Sequence, residues 1–238
     1  MLKNNTKAVT AEETRPDQAQ QQIAIATDGW GTHIRAAIVS TIALVAILCG
    51  AYPLIVWGIS QAIFPHNANG SLVYSADGKT VIGSELLSQA FAGEQYFHPR
   101  PSAAGSGHDP SSSGGTNLGP TSDKLLNGIA DDPATADTDE SYAGIKHLSE
   151  AYRKTNGLAV DAIVPADAVT RSASGVDPHI SPANAKLQAA RVGRSRGLSE
   201  ADVLLIVEAN TDRASFGFLG EPGVNVFMLN LALDRVKQ

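Results

Sequence analysis

The chain has 238 residues, 43% of them hydrophobic and 18% charged, and a formal net charge of −6. That length and balance suit one membrane segment plus one domain, while the acidic charge and the 5% aromatic content exclude a basic, base-stacking nucleic-acid surface. The only cysteine, Cys49, excludes an intramolecular disulfide framework and a cysteine-based zinc site.

Residues 1–34 are polar, with a glutamine patch at Gln18, Gln20, Gln21 and Gln22, and read as a disordered cytoplasmic tail. Residues 35–64 read as a transmembrane helix, because no charged residue occurs from Ala36 to Phe64. A bilayer core needs about 20 apolar helical residues, fewer than this run supplies. A cleaved signal peptide would carry a shorter apolar run nearer the start of the chain. A lipoprotein anchor at Cys49 would want a small residue before it, where Leu48 stands. Pro53 inside the run predicts a kink. Tyr52 and Trp57 are candidate interface anchors. Ala43, Ala46 and Gly50, at i, i+3 and i+7, form a small-residue face of the kind that lets helices pack in lipid. Arg35 precedes the span and the next Lys or Arg after it is Lys79, so the positive-inside rule puts the N-terminus in the cytoplasm and residues 65–238 outside.

That second part carries 14 Lys and Arg against 20 Asp and Glu. Ser71-Leu72-Val73-Tyr74 and Thr80-Val81-Ile82 predict a β-hairpin turning at Asp77-Gly78. Ser84 is expected to cap a short helix through Leu86, Leu87 and Ala90. Residues 101–120 hold 13 Gly, Ser or Pro and only one large apolar residue, Leu118, which composition alone reads equally as a linker or a functional loop. A helix is expected over 140–155, ending at Gly157, and a short strand over 162–164 before Pro165. Ser181-Pro182 predicts a helix running to Gly197. Ser199 caps the next, with Val203, Ile206 and Val207 on its apolar face and an end near Thr211. Residues 226–236 fit a strand and a helix equally. The mixture predicts an α+β fold, one N-terminal transmembrane helix followed by a single mixed α/β extracytoplasmic domain.

Reactive chemistry is not legible. One transmembrane helix cannot enclose a pore, and this one carries no ionisable residue for an ion relay. Gly78-Lys79-Thr80 lacks the earlier glycine of a phosphate-binding loop, since Val73 stands there. Gly105-Ser106-Gly107-His108-Asp109 gathers Ser, His and Asp without the separation a triad needs. The six histidines show no metal-ligand spacing. Arg191, Arg194 and Arg196 read as a solvated basic edge of a helix. No catalytic and no metal-binding residue is therefore assigned.

From residue 40 to 234, in order, the chain resembles the C-subunit family (KdpC) of the bacterial Kdp potassium-transporting P-type ATPases. The resemblance is carried by Gly50-Ala51-Tyr52-Pro53, Phe64-Pro65-His66-Asn67-Ala68-Asn69-Gly70-Ser71-Leu72 and Gly83-Ser84-Glu85-Leu86. It continues through Tyr96-Phe97-His98-Pro99-Arg100-Pro101-Ser102, Ser113-Gly114-Gly115-Thr116-Asn117-Leu118-Gly119-Pro120 and Ser174-Gly175-Val176-Asp177-Pro178-His179-Ile180-Ser181-Pro182. Gly217-Phe218-Leu219-Gly220-Glu221-Pro222 completes it. The resemblance implies a non-catalytic accessory subunit of an ATP-driven, high-affinity potassium importer in the inner membrane. Its partners would be a KdpA-like potassium-channel chain, a KdpB-like ATPase chain and a KdpF-like small chain. It also implies order in the Gly/Ser segment, with Phe97, Arg100, Asn117 and Asp177 as partner-facing or structural signature residues. No bound cofactor is expected. The family is described as raising the ATP affinity of the ATPase chain, with contact attributed to the stretch that is here Ala173-Ser174-Gly175-Val176. The predicted topology separates that stretch from cytoplasmic ATP, so the effect would travel through the assembly. The competing reading is a membrane-tethered exported enzyme or binding protein with an unrecognised site.

Overall fold

The computed structural model describes residues 29–130 and 142–236. Of the tail assigned to residues 1–34, residues 1–28 lie outside the described residues, while Trp30 to Ile34 already belong to the first helix. The chain divides into two compact units, one ending at Ala68 and the other beginning at Asn69.

The first unit is dominated by an unbroken helix, Trp30–Ile63, of 34 residues, whose most apolar 18-residue stretch has mean hydropathy 2.3 and no buried position. It is long and apolar enough to cross a membrane, and none of its positions is buried among the described residues. It consists of α1 (Trp30–Val45), a π-helical stretch (Ala46–Ala51) and α2 (Tyr52–Ile63). The π stretch lies just before Pro53, whose ring crowds the carbonyl of Cys49 and which offers no N–H to it. Widening the turn to i→i+5 is a local way of absorbing that conflict. Phe64 leaves the helix at φ −131, ψ 56, as expected for a residue before proline, and one further turn follows, α3 (Pro65–Ala68).

The second unit opens with the predicted hairpin, β1 (Leu72–Tyr74) paired antiparallel with β2 (Val81–Ser84). Its turn is built by Asp77, which accepts from the N–H groups of Lys79 (2.9 Å) and Thr80 (3.1 Å) and from the Ser75 hydroxyl, with Gly78 at φ 68. Two short helices follow, α4 (Asp123–Asn127) and α5 (Ile145–Asn156), the latter closing on a left-handed Gly157. A three-stranded antiparallel sheet in the order β3–β5–β4 (His179–Ile180, Gly223–Asn225, Thr211–Asp212) packs with α6 (Pro182–Arg196), α7 (Glu200–Ala209) and α8 (Val226–Arg235). The core joins Phe97, Ile180 and Val224 to Ala185, Ala189 and Val192 of α6, Val203 and Val207 of α7, and Leu229 and Leu233 of α8.

Ser181 and Ser199 cap α6 and α7 as expected, each accepting from the third N–H beyond it at 3.1 Å. Four expectations change. No helix follows Ser84: its hydroxyl instead accepts from Leu86 N–H and donates to Gly70 O, and Asn225 captures the Glu85 carbonyl, so the chain turns and leaves. Residues 162–164 form no strand, because the Ala162 carbonyl accepts from the Arg153 side chain and Ile163 stands 90% exposed. The ambiguous C-terminal stretch is the helix α8, capped by Asn225 through Met228 N–H. Arg191 is not on a solvated edge but is 2% exposed, and Arg196 is ion-paired to Asp234 at 2.7 Å, which leaves Arg194 as the exposed member of the three.

Candidate functional site

The Gly/Ser segment is a folded loop. Ser102 donates its hydroxyl to Gly175 O at 2.6 Å while accepting from the N–H groups of Ala104 and His108. Gly114 N–H and the Ser113 hydroxyl both reach Ser174 O at 2.9 Å, and Ser88 N–H reaches Val176 O at 2.9 Å. Three of the sequence stretches that stand far apart in the chain thus meet along residues 172–178. Gly175 sits at φ 70 where a Cβ would fall 2.7 Å from Gly114 O and 2.8 Å from the Ala104 Cβ, so the two loops approach backbone to backbone.

Arg100 and Asp177 close this junction with an ion pair, Nη1 to Oδ2, at 2.9 Å. The other carboxylate oxygen of Asp177 accepts from His179 N–H at 3.0 Å, and the His179 ring lies 3.6 Å from it. On its far side the ring reaches Asp212 of β4 at 3.3 Å. The charges run Arg100, Asp177, His179, Asp212, alternating in sign when the imidazole is protonated. The bonds from His179, opposed by burial and aided by Arg100, hold the Asp177 carboxyl down at about 2. Asp177 in turn raises the His179 pKa above its ordinary value against the cost of burial, with Asp212 adding to it. The Arg100 Nε is buried without a hydrogen-bond partner, so this guanidinium is held by Asp177 and, at 3.5 Å, by Arg171 O.

Of the remaining predicted residues, Phe97 is wholly buried, its backbone clamped by Asn230, which accepts from Phe97 N–H and donates to Phe97 O, both at 2.9 Å. It supports the loop from inside and presents nothing to a partner. Asn117 is exposed at φ 52, a conformation asparagine tolerates better than most residues. Ala43, Ala46 and Gly50 lie on the apolar helix, but the π stretch takes in Ala46 and Gly50. Each residue of an i→i+5 turn advances less around the axis than an α residue does, so Gly50 falls off the line that a regular α-helix would draw.

Beneath the junction lies a polar network of which sequence reasoning saw only an arginine run. Arg191 donates to Glu94 O (2.7 Å), Tyr96 O (2.9 Å), Asn156 Oδ1 (2.9 Å) and Gln188 Oε1 (2.9 Å). Gln188 also pairs with both backbone groups of His98. Asp167 accepts from Ser181 N–H, the Ser181 hydroxyl and Asn184 Nδ2. The one available signal was the register: Asn184, Gln188 and Arg191 share a face with the buried Ala185 and Val192.

What this arrangement does chemically is hold loops. Ser88 and His108 form a hydroxyl–imidazole pair at 2.8 Å, but Ser88 is 4% exposed and burial lowers the His108 pKa. Within the Gly105–Asp109 cluster, Asp109 accepts from Ser111 and His108 turns to Ser88, so the two do not converge on Ser106. The stretch connected with nucleotide contact spends Gly175 N–H on Ser172, Gly175 O on Ser102 and Ser174 O on Ser113 and Gly114. A shallow cleft of about 590 Å³ runs over it, lined by Leu86, Arg100, Arg171, residues 172–174 and residues 176–178. A larger groove of about 840 Å³ lies elsewhere, between α6, α7 and residues 211–222.

A family model described as KdpC: K+-transporting ATPase, c chain, matches residues 34–235, spanning the apolar helix and the whole folded domain. The chain belongs to the KdpC family. It is 47% identical over 204 residues to the potassium-transporting ATPase KdpC subunit of Caulobacter vibrioides (strain NA1000 / CB15N), covering 85% of this chain and 93% of that protein. It is 49% identical over 185 residues to the potassium-transporting ATPase KdpC subunit of Mycobacterium bovis (strain BCG / Pasteur 1173P2), covering 78% of this chain and 88% of that protein. Membership makes it a component of a potassium-transport complex.

Proposed function

We propose that the chain is a non-catalytic accessory subunit that assembles and stabilises an ATP-driven potassium importer. Its helix anchors it in the bacterial inner membrane with the N-terminus in the cytoplasm, and its domain docks from the outer side. The partners are a KdpA-like potassium-channel chain, a KdpB-like ATPase chain and a KdpF-like small chain. The observation that carries this reading is the family match running through both helix and domain, over residues 34–235. Arg35 ahead of the span, against Lys79 as the next basic residue beyond it, supports the orientation. With the domain outside, an effect on ATP affinity reaches the ATPase chain as a coupling free energy through the assembly, not by direct contact.

Deleting the chain tests this. Growth in micromolar potassium is expected to fail and to return when the chain is supplied in trans; undiminished growth would overturn the proposal. In intact spheroplasts, added protease is expected to cut the domain and spare the tail, and the reverse pattern would invert the orientation.

A further inference from the structure

The domain carries an apolar feature that its own fold leaves uncovered. Between β4 and β5 the chain makes a tight turn closed by a bridge between Ser215 and Leu219, whose N–H and C=O groups bond reciprocally at 2.8 and 2.9 Å. Phe216 and Phe218 project from it at 88% and 76% exposure, with Leu219 beside them at 52%. Phe216 holds φ 55, in the left-handed region that aromatic residues avoid, so the backbone is bent against preference to present this ring. The N–H groups of Ser215, Gly217, Phe218 and Leu219 all donate within the turn. Of the charges nearby, Arg213 bonds Glu208 at 2.7 Å, and Glu221 stands exposed two residues beyond Leu219.

We infer that the Phe216–Leu219 turn inserts into the interfacial region of the lipid bilayer. Three observations favour lipid over a protein groove as the occupant. The protruding side chains are purely apolar, with no hydroxyl, amide or indole to match a polar rim of the kind protein interfaces carry. Four of the turn's backbone donors, those of Ser215, Gly217, Phe218 and Leu219, are satisfied internally, which lowers the cost of placing this backbone where water is scarce. Finally, covalent reach is short. Seven residues, 64–70, separate the end of the apolar helix from the buried Ser71, and even fully extended they span roughly 25 Å. With the helix in the membrane, a tether this short keeps the domain's attachment point within that distance of the bilayer. Insertion would therefore give it a second attachment without recruiting it from solution. The domain's acidic balance means the attachment is apolar and not drawn by anionic headgroups.

The inference rests on the anchor in the proposed function, and the experiment separates the two. A benzophenone-bearing residue replaces Phe218 or, as control, the 91% exposed Val160 in the full chain, expressed with its complex in native membranes and irradiated there. Mass spectrometry is expected to find lipid adducts at position 218 in at least about fivefold excess over position 160. Cross-links from position 218 to another subunit would overturn the inference in favour of a protein partner. Equal lipid adducts at both positions, or none at either, would overturn it as well. If the chain is instead released from membranes by alkaline carbonate, the anchor reading itself falls.

Discussion

At the scale of single residues, the junction between the Gly/Ser loop and residues 172–178 is held by close backbone approach and by one ion pair. Gly175→Ala would put a methyl group within 3 Å of Gly114 O and of Ala104, at a φ that L side chains rarely adopt. A loss of about 2–4 kcal/mol is expected, read as a lower melting temperature of the full chain in detergent. Ala103→Gly, in the same loop, should cost less than half of that. Asp177 and His179 give the junction a pH signature whose sign follows from their shifts. The Asp177 pKa is depressed, so its contribution is complete above about 4 and is lost as pH falls toward about 2. His179 is raised, so its contribution is complete below its ordinary value near 6.5 and is lost as pH rises through its folded value. Thermal stability should therefore fall on both sides of a plateau between about pH 4 and 6.5. His179→Asn should abolish the alkaline-side loss that arises here and also shrink the acid-side loss, because the ring is the largest cause of the Asp177 depression and only the residue-179 N–H and Arg100 remain, as melting curves from pH 3 to 9 would show.

Among the elements, α6 connects the rest of the domain. Its Arg191 spreads one guanidinium over two backbone carbonyls, an asparagine and a glutamine, a fan that an ammonium cannot match. Arg191→Lys is expected to lose about 2–4 kcal/mol and to loosen residues 94–98, visible as faster amide exchange there. Unchanged exchange would show that the fan is dispensable. The same helix shows what sequence can and cannot convey. Ser181-Pro182 and Gly197 mark its ends because capping is local chemistry. The burial of Arg191 is invisible, because its two carbonyl acceptors, Glu94 and Tyr96, sit some 95 residues away on a loop with no pattern of its own. Ser84 misled for the same reason: it has the side chain of a helix cap, but the acceptors and donors that decide its role come from Gly70 and Leu86. Residues 162–164 have strand-forming side chains and no strand to pair with. At the candidate site, Arg100 and Asp177 could each be named from motifs, whereas their pairing, and the chain onward through His179 to Asp212, needed the fold.

For the whole molecule, two units of different surface character share one chain. The apolar helix has no buried position and a π turn beside Pro53, while the domain devotes its polar groups to fixing loops in place. The π turn belongs to this scale too, because it sets how the parts of the helix before and after it are rotated toward any neighbour in the membrane.

The central claim is that the chain works only as part of a larger assembly. Its most direct test is mild detergent extraction from native membranes of potassium-starved cells, followed by size separation with mass determination. The claim predicts that the chain elutes with the other potassium-transport subunits at a fixed ratio and at a mass several times its own 24.8 kDa. Elution of the whole population as a lone 24.8 kDa chain would contradict it.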